Sequence, residues 1–98
     1  MTKAEIVTKI AYDVGLEKDE ILKVLDAFTA TVKETLVCGE EVTLRGFGTF
    51  SNKSRAEKIG RNITKNVSVV IPAHSIPAFK PAKGFTEEVK ENVPYSSK

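Results

Sequence analysis

A chain of 98 residues, 41% hydrophobic and 29% charged, has room for one small domain and too much apolar content to remain disordered. No apolar run approaches the ~20 residues of a membrane span, and the opening Met1-Thr2-Lys3-Ala4-Glu5 lacks the apolar stretch of a secretory leader. A single cysteine, Cys38, excludes an intrachain disulfide and suits a reducing cytoplasm.

Thr2-Lys3-Ala4-Glu5 has the form of a capping box, a hydroxyl followed three residues on by a carboxylate. Ile6, Val7, Ile10, Ala11 and Val14 then follow helical spacing, with Gly15 as the stop. A second helix is expected from about Glu17, where Glu17, Asp19 and Glu20 suit the positive end of a helix dipole. Its apolar stripe runs through Ile21, Leu25, Phe28, Val32 and Leu36, widened by Leu22 and Val24, and Gly39 closes it. The two helices are expected to pair antiparallel as a helical base over residues 2–39.

Past Gly39 the period falls to two. Val42 and Leu44 alternate with Thr43 and Arg45 as a half-buried strand, and Gly46-Phe47-Gly48-Thr49-Phe50 forms a turn with two aromatic anchors. Residues 51–58 extend a second strand with no apolar face, whereas the return strand carries Val67, Val69 and Ile71. Pro72 and Pro77 confine their part of the chain to an edge or a bend, since each lacks a ladder donor. Pro81 is expected to open a last helix over about 81–91, with Phe85 and Val89 as its buried face and Gly84 weakening it. The fold class is therefore α+β: a helical base and a small antiparallel sheet over about 41–79, extended into a β-ribbon arm with its tip near 60–66.

Charge is segregated along these elements. Residues 1–52 carry −3, residues 53–83 carry +6 and residues 84–98 carry −1. Of residues 53–65, five are cationic and one anionic. A basic ribbon on a mildly acidic body is the electrostatic footprint of a polyanion binder, and nucleic acid is the polyanion it points to. The ribbon has no aromatic side chain on which single-stranded bases could stack, which favours duplex DNA over RNA. Apolar surface is also in excess: the wide second-helix stripe with Phe47, Phe50 and Phe79 exceeds what one helix pair and a narrow sheet can cover. Two-fold self-association would bury it, making Phe28, Val32, Phe47, Phe50 and Phe79 the expected dimer core, in a homodimer or a close heterodimer.

The residues Gly46-Phe47-Gly48-Thr49-Phe50, Arg55, Gly60-Arg61-Asn62 and Ile76-Pro77-Ala78-Phe79-Lys80-Pro81 together give the chain a specific likeness to a known family. From Thr2 to about Lys90 it resembles the HU and integration host factor family of bacterial DNA-bending proteins. The resemblance implies an intertwined, nucleoid-associated dimer whose two arms reach round DNA along the minor groove. It also implies a wedge at the arm tip. Family members commonly have proline there, and this chain has Ile63, an apolar residue able to wedge between base pairs but without the fixed φ of proline. Ile63 packed against its own ribbon is the alternative. Lys65-Asn66 replaces the family's usual Thr-Gly in the tip turn.

The expected DNA contacts are Lys53, Arg55, Lys58, Arg61, Asn62, Ile63, Thr64 and Lys65 on the arm, with Lys80, Lys83 and Lys3 on the body. Guanidinium groups suit the narrow groove and lysines the phosphates, while Asn62 could read only the degenerate minor-groove pattern. Arg55, Lys58 and Arg61 stand three apart, so an ideal strand would alternate their faces and only a strong twist would bring them to one groove. An architectural protein, largely indifferent to sequence, is the main reading, and one subunit of a site-specific heterodimer is the other. An enzyme is not expected. His74 and Cys38 stand alone in the sequence without catalytic or metal-binding partners, no phosphate-cradling loop is present, and no cofactor or small-molecule substrate is implied.

Overall fold

The computed structural model describes residues 1–62 and 67–95. Helices α1 (Lys3–Val14) and α2 (Lys18–Val37) are followed by strands β1 (Val42–Leu44), β2 (Gly48–Arg55), β3 (Lys58–Asn62), β4 (Val67–Ile71) and β5 (His74–Pro81), and by helix α3 (Lys83–Asn92). Thr2 caps α1 as expected, its side chain accepting a hydrogen bond from the Glu5 N–H at 3.3 Å. At α2 the Glu20 carboxylate reaches back to the Glu17 N–H at 3.4 Å, half of a capping box that carries no Ser or Thr to announce it. The helix stops at Val37, just before the expected Gly39. Gly39 N–H bonds to Leu36 O and Glu40 N–H to Thr35 O, the Schellman pattern, so the glycine lies one residue outside the cap.

The helices run antiparallel, with Ala11 of α1 against Ile21 of α2 and Lys3 paired to Asp26. Among the described residues, Val7, Ala11 and Ile21 are the buried hydrophobic ones, with Ile10 and Leu25 packed against them. Three buried side chains make a small core for such a chain. Much of the α2 stripe remains outside it: Phe28 is 38% exposed and Val24 67%.

The described strands form two sheets. β1, β2 and β5 make a three-stranded antiparallel sheet in that order, and β3 and β4 make a separate two-stranded ribbon. The expected continuous arm is thus interrupted. Ala56 and Glu57 leave the ladder on the outgoing side and Pro72 and Ala73 on the return. Pro72 cannot donate to a ladder, which accounts for the break falling there. Pro77 is accommodated because β5 is an edge strand. Pro81, expected at a helix start, instead ends β5 opposite Gly48, and Ala82 is the N-cap of α3. Gly84 falls in the first turn of α3 and does not prevent the helix.

Two glycines fix the corner between β1 and β2. Gly46, with φ of 81°, occupies the left-handed position of a turn closed by Phe47 N–H to Leu44 O at 2.9 Å. Gly48 is buried, and a Cβ there would lie 2.6 Å from both Lys80 O and the Phe79 ring. The resulting close approach gathers the aromatic side chains. Phe47 lies 5.1 Å from Phe79 and 5.5 Å from Phe85 between ring centroids, and Phe50 lies 4.9 Å from Phe79.

Candidate nucleic-acid interface

Strand alternation sorts the β2–β5 ladder into two chemically distinct faces. Residues directly opposite in an antiparallel pair share a face. Phe50 opposes Phe79, and Asn52 opposes Pro77 while donating from Nδ2 to Leu36 O at 2.8 Å. That face looks toward α2 and carries the aromatic cluster. On the other face lie Thr49 opposite Lys80, Ser51 opposite Ala78, Lys53 opposite Ile76, and Arg55 opposite His74. Thr43 joins this face from β1, its hydroxyl accepting from Thr49 Oγ1 at 3.3 Å. Neither β2 nor β5 contains an acidic residue.

The outer face is therefore a cationic surface with hydroxyl groups between the charges. Lys53, Arg55 and Lys80 are exposed. Among the described residues the two ion pairs are Lys3–Asp26 at 2.7 Å and Lys9–Asp13 at 2.9 Å, both on the helices. Lys53, Arg55 and Lys80 thus present their charge outward, available for phosphates.

Each expected contact residue has a definite place or falls outside the described chain. Lys53, Arg55 and Lys80 share the outer face, and Lys83 is the first residue of α3, beyond the end of β5. Lys58 pairs with Ile71, Arg61 with Ser68 and Asn62 with Val67. Lys58 and Arg61 therefore stand at backbone positions of opposite parity in the ladder. Ile63, Thr64 and Lys65 lie outside the described residues. Lys3, expected as a contact on the body, lies 2.7 Å from Asp26, a half-exposed ion pair that ties α1 to α2.

The register also adds residues that sequence patterning missed. His74 belongs to the cationic face beside Arg55, and Thr49 and Ser51 supply hydroxyl groups there. For Thr49 and Ser51 the signal is the two-residue step along β2 that leads to Lys53 and Arg55. For His74 it is the β2–β5 pairing, a non-local contact that periodicity along one strand does not contain. Of the expected dimer-core residues, Phe47, Phe50 and Phe79 do come together, but Phe47 and Phe79 stay 44% and 38% exposed in the single chain. Phe85 completes the cluster from α3. Its expected companion Val89 is not buried but 45% exposed, on an apolar groove of about 520 Å³ shared with Phe79, Pro81, Val93 and Tyr95.

A family model described as "Bacterial DNA-binding protein" matches residues 1–90. The chain belongs to this family. It is 38% identical over 91 residues to the DNA-binding protein HU of Thermus thermophilus, covering 93% of this chain and 94% of that protein. It is 40% identical over 90 residues to the SPbeta prophage-derived DNA-binding protein HU 2 of Bacillus subtilis, covering 92% and 98%. The fold is similar to that of HU in an Anabaena HU–DNA cocrystal structure, with a TM-score of 0.85 at 36% identity, covering 96% of this chain and all of that one. The α+β architecture expected from the sequence is thus that of the HU family.

Proposed function

We propose that this protein is an HU-type architectural DNA-binding protein, nucleoid-associated, that bends and compacts double-stranded DNA largely without regard to sequence. The observation carrying the reading is the segregation of the β2–β5 ladder into an acid-free cationic face and an aromatic face. Phosphate contacts from Lys53, Arg55, Lys80 and Lys83 would hold the duplex to the body, and Lys58 and Lys65 would add contacts along the arm. Arg61 and Asn62 would enter the minor groove near the tip, with Thr64 beside them and Ile63 as the wedge that opens a base step. The named relatives are HU proteins, which favours this reading over one subunit of a site-specific heterodimer.

The working form is a dimer. The exposed aromatic cluster and the uncovered stripe through Phe28 and Val32 support this, since a second copy would remove both from water. An open groove of about 760 Å³ between α2 and the aromatic face, bordered by Val32, Leu36, Phe50 and Pro77, offers the same partner further apolar surface. A gel-shift series on linear, nicked and four-way-junction DNA at two salt concentrations tests the function. Binding to all three, weakened steeply by salt, is the expected result. If about six to ten phosphates are neutralised per dimer, affinity should fall about 10³- to 10⁵-fold between 50 and 200 mM salt. Salt-insensitive binding would refute the reading.

A further inference from the structure

We propose that His74 is a proton-linked DNA contact, adding a phosphate-binding cation to the outer face as pH falls; the inference rests on the DNA-binding reading above. His74 is the first residue of β5, exposed and directly opposite Arg55. Its Nδ1 lies 2.8 Å from Pro72 O. A carbonyl oxygen can only accept, so Nδ1 carries the hydrogen and Nε2 is the nitrogen left to gain a proton. The bond to Pro72 also restrains the ring at the break between the body sheet and the arm.

The surroundings are those of a phosphate site. Across β2, the strand paired with β5 among the described residues, the charged groups on this face are Arg55, directly opposite, and Lys53, two residues further along. No carboxylate on β2 or β5 competes for an imidazolium. Glu57, in the outgoing break, is the nearest acid in sequence on that side of the ladder. His74 is also the one histidine of the chain. Histidine is the side chain that ordinarily changes charge between about pH 5 and 8. Bound phosphate favours the protonated ring, so binding and proton uptake are coupled.

The test is the salt dependence of duplex binding by the full chain, measured at about pH 5.5 and about pH 7. One further neutralised phosphate per protomer should steepen the log–log slope by about 0.9 per protomer at the lower pH. His74→Gln should abolish the difference between the two pH values, and His74→Lys should show the steeper slope at both. A wild-type slope that does not change with pH would overturn the proposal, as would a pH difference that survives in His74→Gln. Absence of DNA binding at either pH would overturn the DNA-binding reading together with it, an outcome distinct from a pH-independent slope.

Discussion

Lys53 and Arg55 stand two apart on β2, and that spacing alone places them on one side of a strand. Their company is less evident from the sequence. Lys80 and His74 join them only because β5 returns in one register, and a slip by one residue would send the aromatic residues outward instead. Lys53→Glu with Arg55→Glu should therefore weaken binding to every duplex alike. A footprinting titration should show the loss without a change of preferred site, and circular dichroism should be unaltered because both side chains are exposed. Lys3 behaves differently. Its ion pair with Asp26 is half-exposed, so Lys3→Gln should cost about 0–1 kcal/mol of stability, read by thermal unfolding. The sequence could identify Lys3 as a helix-start lysine; pairing it with a carboxylate on another helix required the packing of α1 on α2.

At the scale of elements, the sequence disclosed periods and punctuation more readily than pairings. The stop at Gly15 and the alternation of Val42 and Leu44 follow from local chemistry, and the structure has both. The start of α3 does not. Pro81 suits a helix N-terminus by local preference, yet β2 holds it in the ladder opposite Gly48, so tertiary pairing wins. Gly48 is the tightest point of that pairing. Gly48→Ala should destabilise the protein by about 1–3 kcal/mol, because the new Cβ would lie 2.6 Å from the Lys80 carbonyl oxygen and from the Phe79 ring, so the strand pairing must shift to admit it. Thermal unfolding at fixed protein concentration would measure it. If Ile63 is the wedge, as proposed, Ile63→Ala should reduce DNA bending more than affinity, since phosphate contacts are retained. A ring-closure or energy-transfer assay reads that angle, and an unchanged bend would remove Ile63 from the mechanism.

For the whole molecule, shape and burial point the same way. The Cα radius of gyration is 18.8 Å, against about 13 Å for a compact chain of this length, and the long axis is 56 Å. Such a form exposes aromatic residues that a self-sufficient domain would bury. Covering the exposed part of Phe47 and Phe79 would contribute about 1 kcal/mol per ring, before counting the α2 stripe. Sedimentation should accordingly give twice the 10.7 kDa chain mass at micromolar concentration, and the melting temperature should rise with protein concentration. A monomer mass with a concentration-independent melt would contradict the dimer. The surplus of apolar residues was legible in the sequence. How the surplus divides between α2 and the Phe47–Phe85 stack was not, because it depends on where α3 closes over the turn.

The interruption of the ladder at Ala56 and Glu57 and at Pro72 and Ala73 has a mechanical consequence. Among the described residues, the hydrogen bond at that junction joins His74 at the start of β5 to Pro72 in the break before it, and no ladder bond crosses between strands there. The ribbon can turn against the body sheet without breaking a rung of either ladder. Rotation at this joint would leave the β2–β5 and β3–β4 pairings intact on both sides of it. A clamp built in this way can follow duplexes of different curvature at little elastic cost.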